Sequence, residues 1–251
     1  MNELTLLPNE RIDKVNENIT LIQKKDGLTF GTDAFLLASF IKSAPTKKAA
    51  ELGSGTGIIS LLLASRNKLA DIFAIEIQKD FADLSSRNAS LNGLDKKITV
   101  LNADAASIKP CDVGGELDVV FTNPPYMKTD SGKRNESDAK YIARHEVCGD
   151  INDFCKAGFR LLKHGGKFYV VWRPDRICDL FYALRANRLE PKIITFVHAD
   201  TQSEPSIVLV SATKGGASGA KVTAPLILYN DAAHKKMSER ATKIYDTLSF
   251  D

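Results

Sequence analysis

Between residues 48 and 212 the sequence alternates short apolar segments with stretches of helical character, and this alternation restricts the fold more than any other feature. Several apolar segments are nearly continuous, as expected when helices cover both faces of a sheet. Such alternation is typical of a doubly wound α/β sheet with mostly parallel strands. We predict strands over 48–53, 72–77, 98–103, 117–123, 167–172, 192–198 and 206–212, and helices over 57–66, 79–92, 150–162 and 173–187.

The ends of the chain extend this core. Residues 199–205 are too short for a helical crossover, so the last two strands are predicted to be antiparallel. Before the core, 19–22 and 28–30 flank an Asp-Gly turn and predict a hairpin. A helix follows, with Thr32 as its cap and Asp33 at the positive end of its dipole. A length of 251 residues suits one domain, 1–251, with an N-terminal hairpin and helix (1–47) covering the ligand site, the core sheet (48–213) and a C-terminal extension (214–251).

Composition excludes several classes of protein. The formal net charge is +3, which permits a nucleic-acid partner without indicating one. The 4 cysteines form no Cys-x-x-Cys pair and the 4 histidines no His-Glu-x-x-His motif, so no metal site is expected. No secretory signal is visible, and the longest apolar runs fall well short of the ~20 residues that span a bilayer. We therefore expect a cytoplasmic protein without a membrane partner.

A glycine-rich loop follows the first core strand and opens a helix. It reads Glu51-Leu52-Gly53-Ser54-Gly55-Thr56-Gly57. A nicotinamide site requires Gly-x-Gly-x-x-Gly, but Ile58 and Ser60 occupy the two positions where the third glycine would fall. The Gly-Lys-Ser/Thr ending of a phosphate-binding P-loop is also absent. The pattern Glu-x-Gly-x-Gly-x-Gly instead resembles motif I of the class I methyltransferases, which implies that Glu51 and the three glycines bind the cofactor.

Glu76 ends the second core strand. An acidic residue about 20 positions beyond such a loop typically accepts hydrogen bonds from ribose hydroxyls. A charge at the end of an apolar strand also suits a solvated strand end. Because Glu76 accompanies the glycine loop, we interpret it as a ribose ligand.

The segment Asn123-Pro124-Pro125-Tyr126 follows the fourth core strand and is the most specific motif in the chain. Two prolines end the strand and stiffen the backbone, which fixes the Asn123 side chain and the Pro124 carbonyl. Both are acceptors for the two hydrogens of an exocyclic amino group, whose nitrogen becomes positive as a methyl group arrives. Tyr126 can stack on the target base and stabilise that charge. We predict that Asn123, Pro124 and Tyr126 are catalytic.

Together, the two motifs resemble the amino-methyltransferases of class I, whose targets are adenine N6, cytosine N4 or a glutamine amide. This resemblance implies a Rossmann-like, seven-stranded, mostly parallel sheet with helices on both faces and an antiparallel last strand. It implies S-adenosylmethionine as the cofactor, bound also by Asn123 and by Asp104, whose carboxylate would accept from the adenine amino group. As a residue type, Asp104 equally suits an ordinary turn.

Over most of its length the chain resembles the bacterial family that methylates adenine N6 in a valine tRNA beside the anticodon. The resemblance rests on Phe30-Gly31-Thr32-Asp33-Ala34-Phe35-Leu36-Leu37, the glycine loop, the Asn-Pro-Pro-Tyr motif and Ala143-Arg144-His145-Glu146. It implies that Asp33 contacts the methionine part of the cofactor, although helix capping explains Asp33 nearly as well.

Substrate contacts are predicted in the polar loop after the motif. The candidates are Tyr126, Lys133, Arg134, Arg144 and His145, which would hold a tRNA base turned out of its stack and the phosphates beside it. A solvated charge cluster is an equally good interpretation of Arg144 and His145. Further basic residues that could extend this patch are Arg173, Arg176, Arg185, Arg188, Lys192, Lys235, Lys236, Arg240 and Lys243.

Two other functions remain open. A protein-glutamine methyltransferase shares the same motif, although its release-factor-modifying members carry a helical domain for which 50 residues before Glu51 leave little room. An RNA-binding module that has lost catalysis is the non-enzymatic alternative. The expected partner is tRNA, and a monomer is the default state.

Overall fold

The alternating segments form one mixed sheet in the computed structural model, which describes residues 6–25, 31–124 and 150–250. The strands are β1 (Glu10–Lys14), β2 (Thr20–Lys24), β3 (Ala44–Leu52), β4 (Leu69–Glu76), β5 (Ile98–Asn102), β6 (Leu117–Thr122), β7 (Leu162–Trp172), β8 (Leu189–His198), β9 (Pro205–Lys214), β10 (Lys221–Val222) and β11 (Leu226–Ile227). The helices are α1 (Thr32–Phe40), α2 (Ile58–Ser65), α3 (Lys79–Leu91), α4 (Ile151–Leu161), α5 (Ile177–Ala186) and α6 (Glu239–Thr247).

The sheet has the strand order β10-β8-β9-β7-β6-β3-β4-β5, and β11 also pairs with β8. Strands β3 to β7 are parallel to one another, whereas β9 is antiparallel to both β7 and β8. The chain runs outward from β3 to β5 and then returns to β6 on the other side of β3. The strand order therefore reverses between β3 and β6, and in open α/β sheets the carboxyl ends at such a point form the ligand crevice.

Two apolar cores lie on the two faces of the sheet. One includes Leu36 of α1, Leu62 of α2 and Ile244 of α6, all almost fully buried. The other includes Phe154 of α4 and Leu184 of α5. The predicted fold class is confirmed: seven core strands, β3 to β9, are covered on both faces and end in an antiparallel pair. No described helix is long and apolar enough to cross a membrane.

The N-terminal elements differ in detail from the prediction. The strand β2 pairs antiparallel with β1, whose segment was not predicted as a strand, while the expected partner 28–30 lies outside the described residues. The helix α1 forms as predicted, but Thr32 as its cap is wrong. Gly31 occupies the N-cap position without a side-chain cap, and Thr32 is the first helical residue.

Two asparagines of α3 attach the β1–β2 hairpin to the rest of the protein. The Asn92 side chain accepts from Thr20 N at 2.9 Å and donates to Thr20 O at 2.8 Å. Asn88 does the same with Ile22 N and O, at 2.7 and 3.1 Å, and it also donates to Thr56 O in the glycine loop at 3.0 Å. Because Asn88 and Asn92 are one helical turn apart, their side-chain amides hydrogen-bond alternate residues of β2, as the backbone of a neighbouring strand would.

Replacing Asn88 by alanine is expected to lower the free energy of unfolding by about 2–4 kcal/mol, because the buried N–H and C=O of Ile22 and the partly buried C=O of Thr56 lose their partner. Urea denaturation measures the effect. Asn92→Ala is the matched control: Asn92 is only half-buried, so water can replace its bonds and its loss should be smaller. Equal losses of stability in the two variants would contradict the larger effect that we expect from the burial of Asn88.

Candidate functional site

The two motif loops lie side by side at the carboxyl edge of β3 and β6. Leu52 and Thr122 are paired in the parallel register, and Thr122 Oγ1 donates to Leu52 O at 2.9 Å inside the core. The next residue of each strand is Gly53 and Asn123, respectively. The sheet therefore brings together two motifs that are some seventy residues apart in sequence, as the parallel topology predicts.

The glycine loop turns sharply because its three glycines adopt positive φ, at 70°, 54° and 81° for Gly53, Gly55 and Gly57. L side chains rarely adopt this conformation. A Cβ on Gly57 would also lie 2.4 Å from Ser85 Oγ, so Gly57 is required by packing. A Cβ on Gly55 would meet nothing within 4 Å. The backbone at Gly55 thus borders open space, as a ligand cradle must.

Glu76 supports the loop from the neighbouring strand. Its carboxylate accepts from Gly55 N and from Gln78 N, both at 2.8 Å, and its residue is only 4% exposed. Burial raises the pKa of Glu76, while the two backbone donors act in the opposite direction. An ionised carboxylate has about four acceptor positions, so it can accept from more than one donor at a time. The predicted role in binding ribose fits this geometry and remains a prediction.

Glu51 lies deeper than Glu76. Its carboxylate accepts from Ser60 N at 3.1 Å and from the Ser60 hydroxyl, which ties β3 to α2 below the loop. Burial raises the pKa of Glu51 to about 8. The contacts of Glu51 therefore hold the loop in place, and direct contact with a cofactor is still only predicted.

The stability of Glu51→Gln relative to the wild type is expected to increase as pH rises from 4.5 to 8. The pKa of Glu51 rises from 4.5 to about 8 on folding, so the folded state favours the protonated carboxyl group. The stability contributed by that proton is complete below pH 4.5 and is lost as pH rises towards 8. Glutamine cannot ionise but keeps the acceptor for Ser60. Melting temperatures of both proteins between pH 5 and 8.5 measure the difference, and parallel curves would contradict the raised pKa.

Asp104 follows β5 at the same edge of the sheet. It is exposed, and its Oδ1 accepts from Ala106 N at 2.8 Å, which closes a short turn. The turn interpretation is therefore correct for one carboxylate oxygen. The turn does not use the second oxygen, Oδ2. The contact of Asp104 with an adenine amino group therefore stays a prediction.

Asn123 contacts Asp33 across the edge of the sheet. Asn123 Nδ2 donates to Asp33 Oδ2 at 3.1 Å, and Asp33 Oδ1 accepts from Ala34 N at 2.9 Å. A carboxylate can only accept, so the amide must turn its NH2 group towards Asp33. The amide oxygen of Asn123 then faces away from Asp33. The Asp33 carboxylate therefore accepts from a backbone N–H in the first turn of α1 and also fixes the orientation of the Asn123 amide.

Ser54 is a candidate site residue that the sequence analysis missed. It lies inside the glycine loop, is 5% exposed, and its hydroxyl has no hydrogen-bond partner among the described residues. A buried hydroxyl without a partner is costly in a protein interior. Its position between Gly53 and Gly55, at the x of Gly-x-Gly, was the available signal. Phe154 of α4 packs under the same loop, 3.5 Å from a Cβ built on Gly53.

The predicted substrate loop lies outside the described residues, together with Tyr126, Lys133, Arg134, Arg144 and His145. Several basic residues further along the chain have local acidic partners. Arg173 pairs with Asp175, Arg176 with Asp179 and Arg185 with Glu190, at 2.6, 2.9 and 3.4 Å. Lys192 donates to two backbone carbonyls. These contacts weaken the hypothesis that the patch continues along α5. Within the described ranges, no three His, Cys, Asp or Glu residues are grouped to hold a metal ion.

Comparison with known proteins places this site in a family context. Residues 24–180 match the family model described as "Methyltransferase small domain". A "tRNA1(Val) (adenine(37)-N6)-methyltransferase" of Dyadobacter fermentans is 28% identical over 63% of this chain and 64% of its own length. A "Release factor glutamine methyltransferase" of Chlorobaculum tepidum is 37% identical, but over only 37% of this chain and 32% of its own.

Solved structures show the same fold. The crystal structure of a predicted O-methyltransferase from Agrobacterium tumefaciens aligns with a TM-score of 0.70 at 21% identity, covering 87% of this chain and 97% of that one. At this identity the match supports the architecture alone. The alignment with the Dyadobacter protein spans just under two thirds of that relative, and the substrate in its name is a property of that relative.

Proposed function

The chain belongs to the methyltransferase small domain family, and on this premise we propose that it transfers a methyl group from S-adenosylmethionine to the N6 amino group of an adenine in tRNA. The observation that carries the proposal is the Asn123 amide, which Asp33 orients beside the glycine loop. The alignment over 63% of the chain with a relative named for adenine 37 of a valine tRNA supports this choice of target.

The described residues at the carboxyl edge fit the proposed cofactor. The open space at Gly55 admits a ligand close to the backbone, the buried Glu76 carboxylate offers acceptors for ribose hydroxyls, and Ser54 offers a hydroxyl without a partner. Asp104 would accept from the adenine amino group. When bound, S-adenosylmethionine supplies a methyl group on a positively charged sulfur.

The chain's own contribution is to activate and hold the acceptor nitrogen. In our proposal, Asn123 Oδ1 and the Pro124 carbonyl accept from the two hydrogens of the adenine amino group. Both acceptors gain strength as positive charge grows on the nitrogen, so they stabilise the transition state more than the ground state. Asp33 holds the amide in the orientation that presents the oxygen. Tyr126 would stack on the base. The phosphates beside the base would be bound by Lys133, Arg134, Arg144 and His145.

The test uses an unmodified transcript of a valine tRNA, S-adenosylmethionine and the purified protein. After digestion to nucleosides, mass spectrometry should detect N6-methyladenosine. A matched transcript with guanine at position 37, the position in the relative's name, should remain unmethylated. Methylation of both transcripts would move the target to another adenine. Absence of methylation in every RNA tested, with cofactor binding intact, would refute the proposal.

A companion reaction with labelled S-adenosylmethionine, supplied with both tRNA and a mixture of cellular proteins, separates the alternatives. Labelled methyl groups that protease releases, and RNase does not, would favour a protein-glutamine methyltransferase, in keeping with the short match to the release-factor enzyme. Cofactor-independent tRNA binding without any transfer would favour the inactive RNA-binding module. We further propose that the enzyme acts on tRNA in the cytoplasm as a monomer. Light scattering of the purified protein tests the oligomeric state.

A further inference from the structure

The C-terminal helix α6 is anchored at its beginning to the carboxyl edge of the sheet. After β11 pairs with β8, Leu228 N and Tyr229 N continue the ladder to His198 O and Ala199 O, at 2.9 and 2.8 Å. Ser238 then caps α6 by accepting from Ala241 N at 3.0 Å. The path of the chain thus carries α6 from the edge that bears the proposed active site back over α1.

One face of α6 is buried against α1. Ala241, Ile244 and Leu248 are at most 2% exposed and belong to the same apolar core as α1. Their spacing of three and four residues is that of a single helix face. The other apolar residues of α1 face α2 and the sheet, so α6 completes the enclosure of α1.

Tyr245 contacts the first turn of α1. Its ring stacks on Phe35 with a centroid distance of 5.3 Å and an angle of 23° between the planes. Its phenol shares a hydrogen bond with the Thr32 side chain, and burial raises the pKa of Tyr245. Thr32 and Phe35 flank Asp33, the residue that accepts from Asn123. Tyr245 is therefore two contacts away from the amide of the proposed active site.

Lys68 fixes the opposite end of α1 to α6. This lysine is 5% exposed, and its Nζ donates to Ala38 O and Ser39 O of α1, at 2.8 and 3.3 Å. It also donates to Leu248 O, at the end of α6, at 2.8 Å. A cation at the carboxyl ends of two helices is favourable for both dipoles. With both ends of α1 held by α6, the position of Asp33 depends on the C-terminal helix.

We propose that the C-terminal helix supports the methyl-transfer site, and that Tyr245 is the positioning residue through which it holds Asp33 against Asn123. This inference rests on the proposed function. It assigns a role to a segment that follows the residues matched by the family model, which end at 180. Tyr245 does not touch the substrate in this scheme: it acts through Thr32, α1 and Asp33.

The experiment compares Tyr245→Phe, which loses the hydroxyl but keeps the stacked ring, with Tyr245→Ala, which loses both. Tyr182→Phe is the matched control, because Tyr182 is 78% exposed on α5. The single-turnover rate constant of tRNA methylation, with enzyme in excess, should fall by about tenfold in Tyr245→Phe and up to about a hundredfold in Tyr245→Ala, the range expected for small misplacement of a catalytic group. When the enzyme is in saturating excess over tRNA, a mere loss of folded protein leaves this rate constant unchanged.

A double-mutant cycle tests whether Tyr245 acts through Asp33. In an Asp33→Ala background, Tyr245→Phe should cause no further loss of rate, whereas independent effects would multiply. Thr32→Val should reproduce the effect of Tyr245→Phe and keeps the test valid if Tyr245→Ala fails to fold. Multiplying effects, or an unchanged rate constant in Tyr245→Phe and Thr32→Val, would overturn the inference.

A second measurement does not depend on activity. The two side-chain amide protons of Asn123, assigned in NMR spectra by their loss in Asn123→Asp, should shift in Tyr245→Phe and stay in place in Tyr182→Phe. Unchanged resonances in Tyr245→Phe would overturn the inference even if the enzyme is active. If the wild-type protein methylates no tRNA, the proposed function fails, and the NMR result still decides whether α6 positions Asn123.

Discussion

Asn123→Ala is expected to lower the single-turnover rate constant of tRNA methylation by about 10²–10³-fold, the usual effect of removing one preorganised group that stabilises transition-state charge. Alanine removes the oxygen proposed to accept from the adenine amino group, and it also removes the Asn123 N–H that donates to Asp33 Oδ2. Quenched samples analysed for N6-methyladenosine measure the rate. The dissociation constant for S-adenosylmethionine should change far less than the rate, because the glycine loop and Glu76 remain.

The control for this prediction is Asn18→Ala, a substitution on the exposed surface of the N-terminal segment. It should leave the rate constant unchanged. The melting temperature of Asn123→Ala should stay close to that of the wild type, because Asn123 is only partly buried. Equal rate constants for Asn123→Ala and the wild type would remove Asn123 from the mechanism and with it the central argument for amino-group methylation.

Glu76→Ala should weaken the binding of S-adenosylmethionine by more than a hundredfold. Hydrogen bonds to a charged group contribute about 1.5–3 kcal/mol each, and every 1.4 kcal/mol changes affinity about tenfold. The substitution also removes the acceptor of Gly55 N and Gln78 N, which bind the carboxylate at 2.8 Å. We therefore expect the conformation of the glycine loop to change as well. Isothermal titration calorimetry with the cofactor alone measures this loss without RNA.

Glu76→Gln separates the two contributions in this prediction. Glutamine keeps an acceptor for one backbone N–H but turns a donor towards the other, and it removes the charge. An intermediate loss of affinity is expected. Asp104→Ala, at the end of the next strand, should have a smaller effect because Asp104 is exposed. If Glu76→Ala binds the cofactor as well as the wild type, the ribose assignment is wrong.

The sequence predicts positions at strand ends better than contacts between side chains. Glycine spacing and the double proline mark Gly53 and Asn123 as ends of parallel strands, and parallel strands share one edge. The 3.1 Å contact between Asn123 and Asp33 joins residues 90 positions apart and depends on how α1 packs, which no local pattern encodes. Glu51 illustrates a second limit. The motif identifies this residue as acidic, but it does not reveal that Ser60 donates hydrogen bonds to its carboxylate.

Weak local patterns explain the elements that were not predicted. β1 has the sequence Glu-Arg-Ile-Asp-Lys, which offers no apolar alternation. It pairs with β2, and Glu10 also makes a two-point ion pair with Arg87 of α3, with bonds of 2.7 and 2.8 Å. β10 and β11 have only two residues each, too few for any periodicity. Tertiary packing determines these elements, so a single sequence carries little signal for them.

The pairing of β10 and β11 with β8 has a consequence for the synthesis of the protein. β8 includes the β-branched and aromatic run Ile193-Ile194-Thr195-Phe196-Val197. Its outer edge pairs with residues 221–222 and 226–227, and Thr223 N and Leu228 N also donate to carbonyls of β8. All of these residues are translated after β8. Until those residues leave the ribosome, this edge is bare and able to recruit a strand from another nascent chain. We therefore expect that shortening the chain before residue 221 lowers the yield of folded protein, because the edge of β8 then stays exposed.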